Sequence, residues 1–453
     1  MWKSIDPWTG ECWSVVPLDD AVRVNERVET LCSIQYSWRR RAISEREACL
    51  VRLAKLCEAG IEDAARIMVR EMGKPIVQAR AEIRKCAWLC RYMAEHGGRF
   101  LQAEPMELDG NRRAWIRYEP LGLILGIMPW NFPFWQVFRF AVPALLAGNA
   151  VLIKHAPNVG RCSGMLVRWF HEAGIEAYDQ VVIDIAAVEK LVADTRVAAV
   201  SLTGSRRAGR AVAALAGRYL KKSVLELGGS DPYLVLADAD VELAARQCVA
   251  GRMLNSGQTC IAAKRWIVVD DVYDDFRECV LGQMRALRCG NPMEESTEVG
   301  PLAREDLRQT LHDQVQRTLQ AGARCVIGGQ IPSGPGYLYP PTLLEGVRPD
   351  MPAFEEEVFG PVAVLVGARD EQEALRLANA SRYGLGAGIF SRDEQRALEL
   401  AASLEAGNIA INGFVVSDPR LPFGGVKESG YGRELGVPGL REFVNIKSVV
   451  CEA

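Results

Sequence analysis

Leu121-Gly122-Leu123-Ile124-Leu125-Gly126-Ile127 follows Pro120 as a short apolar run, and the same texture returns at Ala150-Val151-Leu152-Ile153, Val197-Ala198-Ala199-Val200-Ser201-Leu202 and Ser223-Val224-Leu225-Glu226-Leu227. Short apolar runs bounded by Gly, Pro and Asn read as buried strands. Helical-looking segments fill the intervals, and that alternation builds βαβ units around a mainly parallel sheet. A second set follows: Tyr233-Leu234-Val235-Leu236, a helix opened by Asp238 or Asp240, Trp266-Ile267-Val268-Val269, Val362-Ala363-Val364-Leu365-Val366 and Asn408-Ile409-Ala410-Ile411. The expected fold is α/β, two domains in tandem with a boundary near Gly228-Gly229.

On the N-terminal side of this core, apolar residues such as Leu50, Leu53, Ala54 and Cys57 recur at three- and four-residue steps between Ser44 and Gly98, so two or three helices are expected there. At the other end, Leu440 to Val450 alternates like a strand. The chain has 453 residues, too many for one simple core. Its 54 basic and 57 acidic residues leave a net charge of -3, which offers no footprint for nucleic acid or an anionic membrane. No apolar run approaches the roughly 20 residues of a membrane span, and Met1-Trp2-Lys3-Ser4-Ile5-Asp6-Pro7 lacks a signal-peptide stretch. The 13 cysteines show no disulfide-framework spacing. Reduced thiols and a cytoplasmic location are the expectation.

Several chemistries lose their signatures. The four histidines, His96, His155, His171 and His312, contain no zinc-helix pair, so no metal site is expected. Cys86 and Cys90 lie on a helical pattern and read as packed thiols. There is no P-loop, no Gly-x-Ser-x-Gly elbow and no Gly-x-Gly-x-x-Gly after a strand. The candidate phosphate turn is Thr203-Gly204-Ser205 between a strand and an Ala/Arg-rich helix, a tripeptide that also suits an ordinary helix cap.

The segments that carry chemistry are Pro129-Trp130-Asn131-Phe132-Pro133, Lys154, Glu226-Leu227-Gly228-Gly229, Gly257-Gln258-Thr259-Cys260 and Glu357-Val358-Phe359-Gly360-Pro361. Most fall at strand ends, where ligand sites of open α/β sheets gather. Each has a bland reading alone: a turn cap for Asn131, an inert thiol for Cys260, a solvated charge for Lys154. Glu226 stands out, because a carboxylate in an apolar strand is costly unless paired or functional.

Together and in this order, these segments resemble the aldehyde dehydrogenase superfamily over almost the whole chain. Lys154-His155-Ala156-Pro157-Asn158-Val159, Val224 to Pro232 and Phe423-Gly424-Gly425-Val426-Lys427 look like the shorter bacterial succinate-semialdehyde dehydrogenases. The resemblance implies two Rossmann-like domains plus a small oligomerisation β-extension. Residues 1–101 and 121–227 would form the cofactor domain, 228–428 the catalytic domain, and 102–120 with 429–453 the oligomerisation segments of a homodimer or homotetramer.

The same resemblance implies NAD- or NADP-dependent oxidation of a small aldehyde, with succinate semialdehyde first and another aliphatic or aromatic aldehyde as the alternative. Cys260 would be the nucleophile that forms a thiohemiacetal and then a thioester. The Asn131 amide and the Cys260 N–H would hold the oxyanion. Glu226 would activate the hydrolytic water. Lys154 would contact the adenosine ribose, Ser205 the pyrophosphate and Glu357 the nicotinamide ribose, with Phe359, Trp130 and Leu227 in the same groove. Where many NAD-preferring relatives carry a ribose-binding glutamate this chain has Pro157, so acceptance of both cofactors is expected. Arg139 would grip a substrate carboxylate with Ser417 as a second donor. Leu254 stands where some of these enzymes carry a further arginine.

Overall fold

The computed structural model describes residues 1–109 and 112–452. A hairpin of β1 (Trp2–Ile5) and β2 (Cys12–Val16) precedes four helices, α1 (Ala21–Trp38), α2 (Ile43–Ala59), α3 (Ile61–Met72) and α4 (Ile76–Phe100). The last three occupy the stretch where helical periodicity is clear. In α3 the residues Ala64, Ala65, Met68, Val69 and Met72 form one buried stripe, and Gly73 ends the helix in the left-handed conformation that glycine adopts without a Cβ clash. Helix α1 was not expected, because only Val28, Leu31, Gln35 and Trp38 of its 18 residues are buried.

The chain then runs through β3 (Glu104–Glu107) and β4 (Arg113–Pro120) into the first large sheet. This sheet contains β5 (Leu123–Ile127), β6 (Ala150–Lys154), β7 (Tyr178–Gln180), β8 (Val197–Thr203) and β9 (Lys222–Glu226), ordered β9-β8-β5-β6-β7 and all parallel. Helices α5 (Trp135–Leu146), α6 (Gly160–Glu172), α7 (Ile185–Ala193) and α8 (Arg206–Arg218) make the crossovers. Helix α5 is buried on every side. It packs so closely on β5 that a Cβ at Gly126 would lie 2.7 Å from the Phe140 ring. Because β5 leads outward to β6 and β7 on one side and to β8 and β9 on the other, the strand order reverses between β5 and β8, which is where such sheets open a ligand crevice.

Leu227 to Ser230 link β9 to the second sheet, close to the expected boundary. That sheet holds β10 (Asp231–Val235), β11 (Ala263–Val269), β12 (Arg324–Ile327), β13 (Thr342–Glu345), β14 (Val362–Ala368), β15 (Gly386–Phe390) and β16 (Asn408–Ile411), ordered β12-β13-β14-β11-β10-β15-β16. Only β12 runs antiparallel. Between β10 and β11 lies α9 (Val241–Met253), whose first turn is capped by Asp240 accepting from the Leu243 N–H at 2.9 Å. A Cβ at Gly388 in β15 would sit 2.3 Å from the Tyr233 ring, so this strand needs the glycines that hide it from pattern reading.

A third sheet joins β17 (Val444–Cys451) to β4 and β3, all antiparallel. The strand begins at Val444 rather than Leu440 because Gly436–Leu440 closes a helical turn first. Gly430–Tyr431, inside the 429–453 segment, instead adds an antiparallel pair to the edge of β9. Residues 110, 111 and 453 of the two extension segments lie outside the described residues.

Candidate active site

The loop between α9 and β11 presents Cys260, and its backbone is unusual. Asn255, Ser256 and Gly257 all have positive φ, at 55°, 55° and 75°. Such conformations cost about 1–3 kcal/mol each at non-glycine residues and persist only when the surroundings enforce them. The enforcement is visible. Arg252, fully buried in α9, donates to Val362 O (2.6 Å), Val358 O (2.9 Å) and Gly257 O (3.3 Å). Ser256 Oγ accepts from Gly300 N, and Gln258 Oε1 accepts from Ala303 N, both at 2.9 Å. A Cβ on Gly257 would fall 2.2 Å from Gly360 O, which explains why Gly257 and the Phe359-Gly360-Pro361 segment occur together. Downstream, Lys264 Nζ donates to Cys260 O at 2.6 Å and Thr259 O at 3.1 Å.

The first sheet meets this loop through Asn131. Its Nδ2 donates to Gln258 O at 3.1 Å, and its backbone carbonyl accepts from Asn255 Nδ2 at 2.8 Å. A carboxamide has two N–H donors. One is therefore unspent here, and the Cys260 backbone N–H also has no acceptor among the described residues. Asn131 thus meets the Cys260 loop two residues before the thiol with one N–H donor to spare, and free N–H donors of this kind can receive a developing oxyanion. Burial pushes the Cys260 thiol up to about 12, with Arg139 and Lys264 only partly offsetting it, so the resting thiol is protonated near neutrality.

Glu226 ends β9 and is buried, with both carboxylate oxygens lacking a hydrogen-bond partner among the described residues. Arg139 of α5 stands between it and a second buried carboxylate: it pairs closely with Glu434 and lies 3.7 Å from Glu226. Burial raises the Glu226 pKa well above the ordinary carboxylate value; Arg139 opposes that shift and Glu434 adds to it. Gly424 leaves the space beside the carboxylate, since a Cβ there would lie 2.9 Å from Glu226 Oε1.

Cys260 opens on a cavity of about 290 Å³ whose walls include Phe132, Trp135, Arg139, Phe414, Ser417 and Phe423. The residues lining it do not include Glu226 or Asn131. Lys85 of α4 also lines the cavity; burial, reinforced by the nearby Arg139 charge, brings it down to about 8.

On the other side, Glu357 folds over Gly228-Gly229 and accepts from Gly229 N at 3.2 Å. A Cβ on Gly228 would meet its carboxylate at 2.0 Å. Trp130 and Phe359 pack edge to face with centroids 5.8 Å apart. Lys154 ends β6, Leu227 packs against Gly209, and Ser205 caps α8 by accepting from Ala208 N at 3.3 Å.

The model of the aldehyde dehydrogenase family matches residues 1–449. The chain belongs to the aldehyde dehydrogenase family. It is 50% identical over 448 residues to succinate semialdehyde dehydrogenase [NAD(P)+] Sad of Escherichia coli, covering 98% of this chain and 97% of that one. Succinic semialdehyde dehydrogenase from Streptococcus pyogenes, solved with NADP+, superposes with a TM-score of 0.97 at 35% identity over 99% of both chains. Lactaldehyde dehydrogenase from Escherichia coli also reaches 0.97, at 31% identity over 100% of this chain and 96% of that chain. The fold is therefore shared across substrates, and substrate choice in this aldehyde dehydrogenase has to be read from side chains.

The residues of this aldehyde dehydrogenase fit a dinucleotide at the reversal point of the first sheet. Thr203 Oγ1, at the end of β8, is buried without a hydrogen-bond partner among the described residues. A Cβ added to the adjacent Gly204 would meet only Leu202, at 3.7 Å, which leaves room for close approach of a ligand to the backbone. The ammonium of Lys154 has no carboxylate within 4.0 Å among the described residues. The sequence reading missed Lys85, Arg252, Lys264 and Glu434. The available signal was a charged residue in an apolar environment, as at Lys264 within β11.

Proposed function

We propose that this enzyme oxidises succinate semialdehyde to succinate with NAD or NADP, through a covalent adduct on Cys260. The observation that carries the reading is the cavity at Cys260, an apolar pocket whose wall includes basic side chains and the Ser417 hydroxyl. The names of the relatives support the same substrate. In the first step, the Cys260 thiol gives its proton to water as the sulfur adds to the aldehyde carbon, and the carbonyl oxygen gains charge toward the Asn131 amide and the Cys260 N–H. Loss of either donor costs about a hundredfold or more in rate. Lys154 would hold the adenosine ribose of the dinucleotide, Ser205 its pyrophosphate and Glu357 its nicotinamide ribose, with Trp130, Leu227 and Phe359 alongside. The bound cofactor would supply the acceptor for the hydride whose loss from the adduct carbon leaves the thioester. Glu226, with its raised pKa, takes a proton from the water that attacks the thioester, which releases the acid and restores the thiol.

The domain roles follow: 1–101 and 121–227 hold the cofactor and 228–428 carries the nucleophile. Segments 102–120 and 429–453 pair a neighbouring subunit in a homodimer or homotetramer, supported by exposed Met106, Ile446 and Val450 on the third sheet. A cytoplasmic location is supported by the 13 free cysteines. Among the described residues no helix is long and apolar enough to cross a membrane.

The test is an assay of nicotinamide reduction with succinate semialdehyde and butanal, using each cofactor. Succinate semialdehyde should have the higher kcat/KM. The two cofactors should differ by less than about a thousandfold, since a larger gap needs roughly 4 kcal/mol of discrimination. Equal use of both aldehydes would refute the substrate reading.

A further inference from the structure

The charged side chains in the cavity wall are not equivalent. Arg139 already faces Glu434 and Glu226. Glu82 is taken up by Lys74 and by the Phe134 and Trp135 backbone N–H groups at 2.9 Å. Lys85 has no carboxylate within 4.0 Å among the described residues, and its hydrogen-bond partner is Ser417 Oγ at 2.8 Å.

Ser417 Oγ also accepts from Trp135 Nε1 at 3.1 Å. A hydroxyl oxygen has two lone pairs, so both are spent and only its proton remains to be donated. The ammonium likewise keeps two N–H donors after serving Ser417. The Trp135 ring lies 4.5 Å from the Lys85 nitrogen and holds it against the wall. Lys85 and Ser417, held by Trp135, thus keep unspent donors with no carboxylate to serve among the described residues, set among Phe132, Phe414 and Phe423 in the cavity that Cys260 enters. Such a cluster recognises a carboxylate through charge-assisted hydrogen bonds.

We infer that Lys85, together with the Ser417 hydroxyl, grips the carboxylate of the substrate, while the Arg139 charge serves Glu226 and Glu434. This rests on the reading that the substrate is a carboxyl-bearing aldehyde. Lys85 is then a specificity-determining residue on α4, far in sequence from both Cys260 and Ser417.

The decisive variant is Lys85→Met, which keeps the length and removes the charge. Hydrogen bonds to charged groups contribute about 1.5–3 kcal/mol. The KM for succinate semialdehyde should therefore rise about 10- to 100-fold, while kcat and the KM for butanal each move less than about threefold. Lys85→Arg should recover part of the loss. Calorimetric titration with succinate should show the same weakening without turnover. A wild-type enzyme with no preference for succinate semialdehyde over butanal would overturn the substrate reading and this inference with it. A wild-type preference that survives Lys85→Met would overturn this inference alone. An equal loss for both aldehydes would mark Lys85 as structural and overturn it as well.

Discussion

Two charged clusters flank Cys260, and they close their electrostatics differently. Around Arg139 two buried carboxylates compete for one guanidinium. Around Lys85 an ammonium, an indole N–H and a hydroxyl gather with no carboxylate bound to them among the described residues. The first cluster balances its charge internally, although both Glu226 oxygens keep no hydrogen-bond partner among the described residues; the second holds a cation with no carboxylate within 4.0 Å among the described residues, which on our proposal an anion completes. A basic residue in a pocket is therefore not by itself an anion site, because what matters is whether its charge is already spent.

The sharpest way to test that division is Glu226→Gln. It should lower kcat by about 10²- to 10⁴-fold for charged and neutral aldehydes alike. A burst of reduced cofactor should precede the slow phase as thioester accumulates. A loss confined to KM would place Glu226 outside the chemistry. Arg139→Leu comes next. Leaving two carboxylates buried together without their cation should cost about 3–5 kcal/mol of stability, read from denaturant unfolding. Its kcat should fall with every aldehyde. A selective rise in KM for succinate semialdehyde would move the anion site to Arg139 and erase the distinction between the clusters.

The smallest effect is a pH dependence. Lys85 faces Arg139 from α5, Asp418 beyond Ser417, and Glu82 and Cys86 on its own helix, and it stands at about 8, below an ordinary lysine. A lysine with a lowered pKa is charged below that value and neutral above it. The ratio of kcat/KM for succinate semialdehyde to that for butanal should therefore fall about tenfold between pH 7 and pH 9, because kcat/KM reports free-enzyme ionisations. Taking the ratio removes the Cys260 titration common to both substrates. A flat ratio would detach Lys85 from anion binding.

The sequence made some of this legible and hid the rest for identifiable reasons. Strands such as β6 and β8 show plainly because both faces are buried and every residue but the terminal Lys154 of β6 is apolar or small. The short motifs around Asn131, Glu226 and Cys260 stand out because their chemistry is local. Lys85 does not, since on α4 it sits beside Arg84 and near Arg91 and resembles any solvated charge. It acquires meaning from Ser417, 332 positions away. Arg252 is similar: a basic residue near a helix end whose three acceptors come from a distant segment and its own following loop. Arg139 is the instructive case in reverse. Its position is legible, but the Glu434 that claims its charge arrives almost three hundred residues later, and only the folded chain brings the two together.

The run of left-handed residues before Cys260 also bears on how the molecule could be divided. Its shape is imposed from outside, by Arg252 and Gly360 on the second-sheet side and by Asn131 on the first. A fragment ending between the two sheets would carry the thiol without its template, or the template without its thiol. Complementation of two separately expressed halves should therefore restore alkylation behaviour of the native kind only when they reassemble, making the reactivity of a single sulfur a gauge of how the halves are joined.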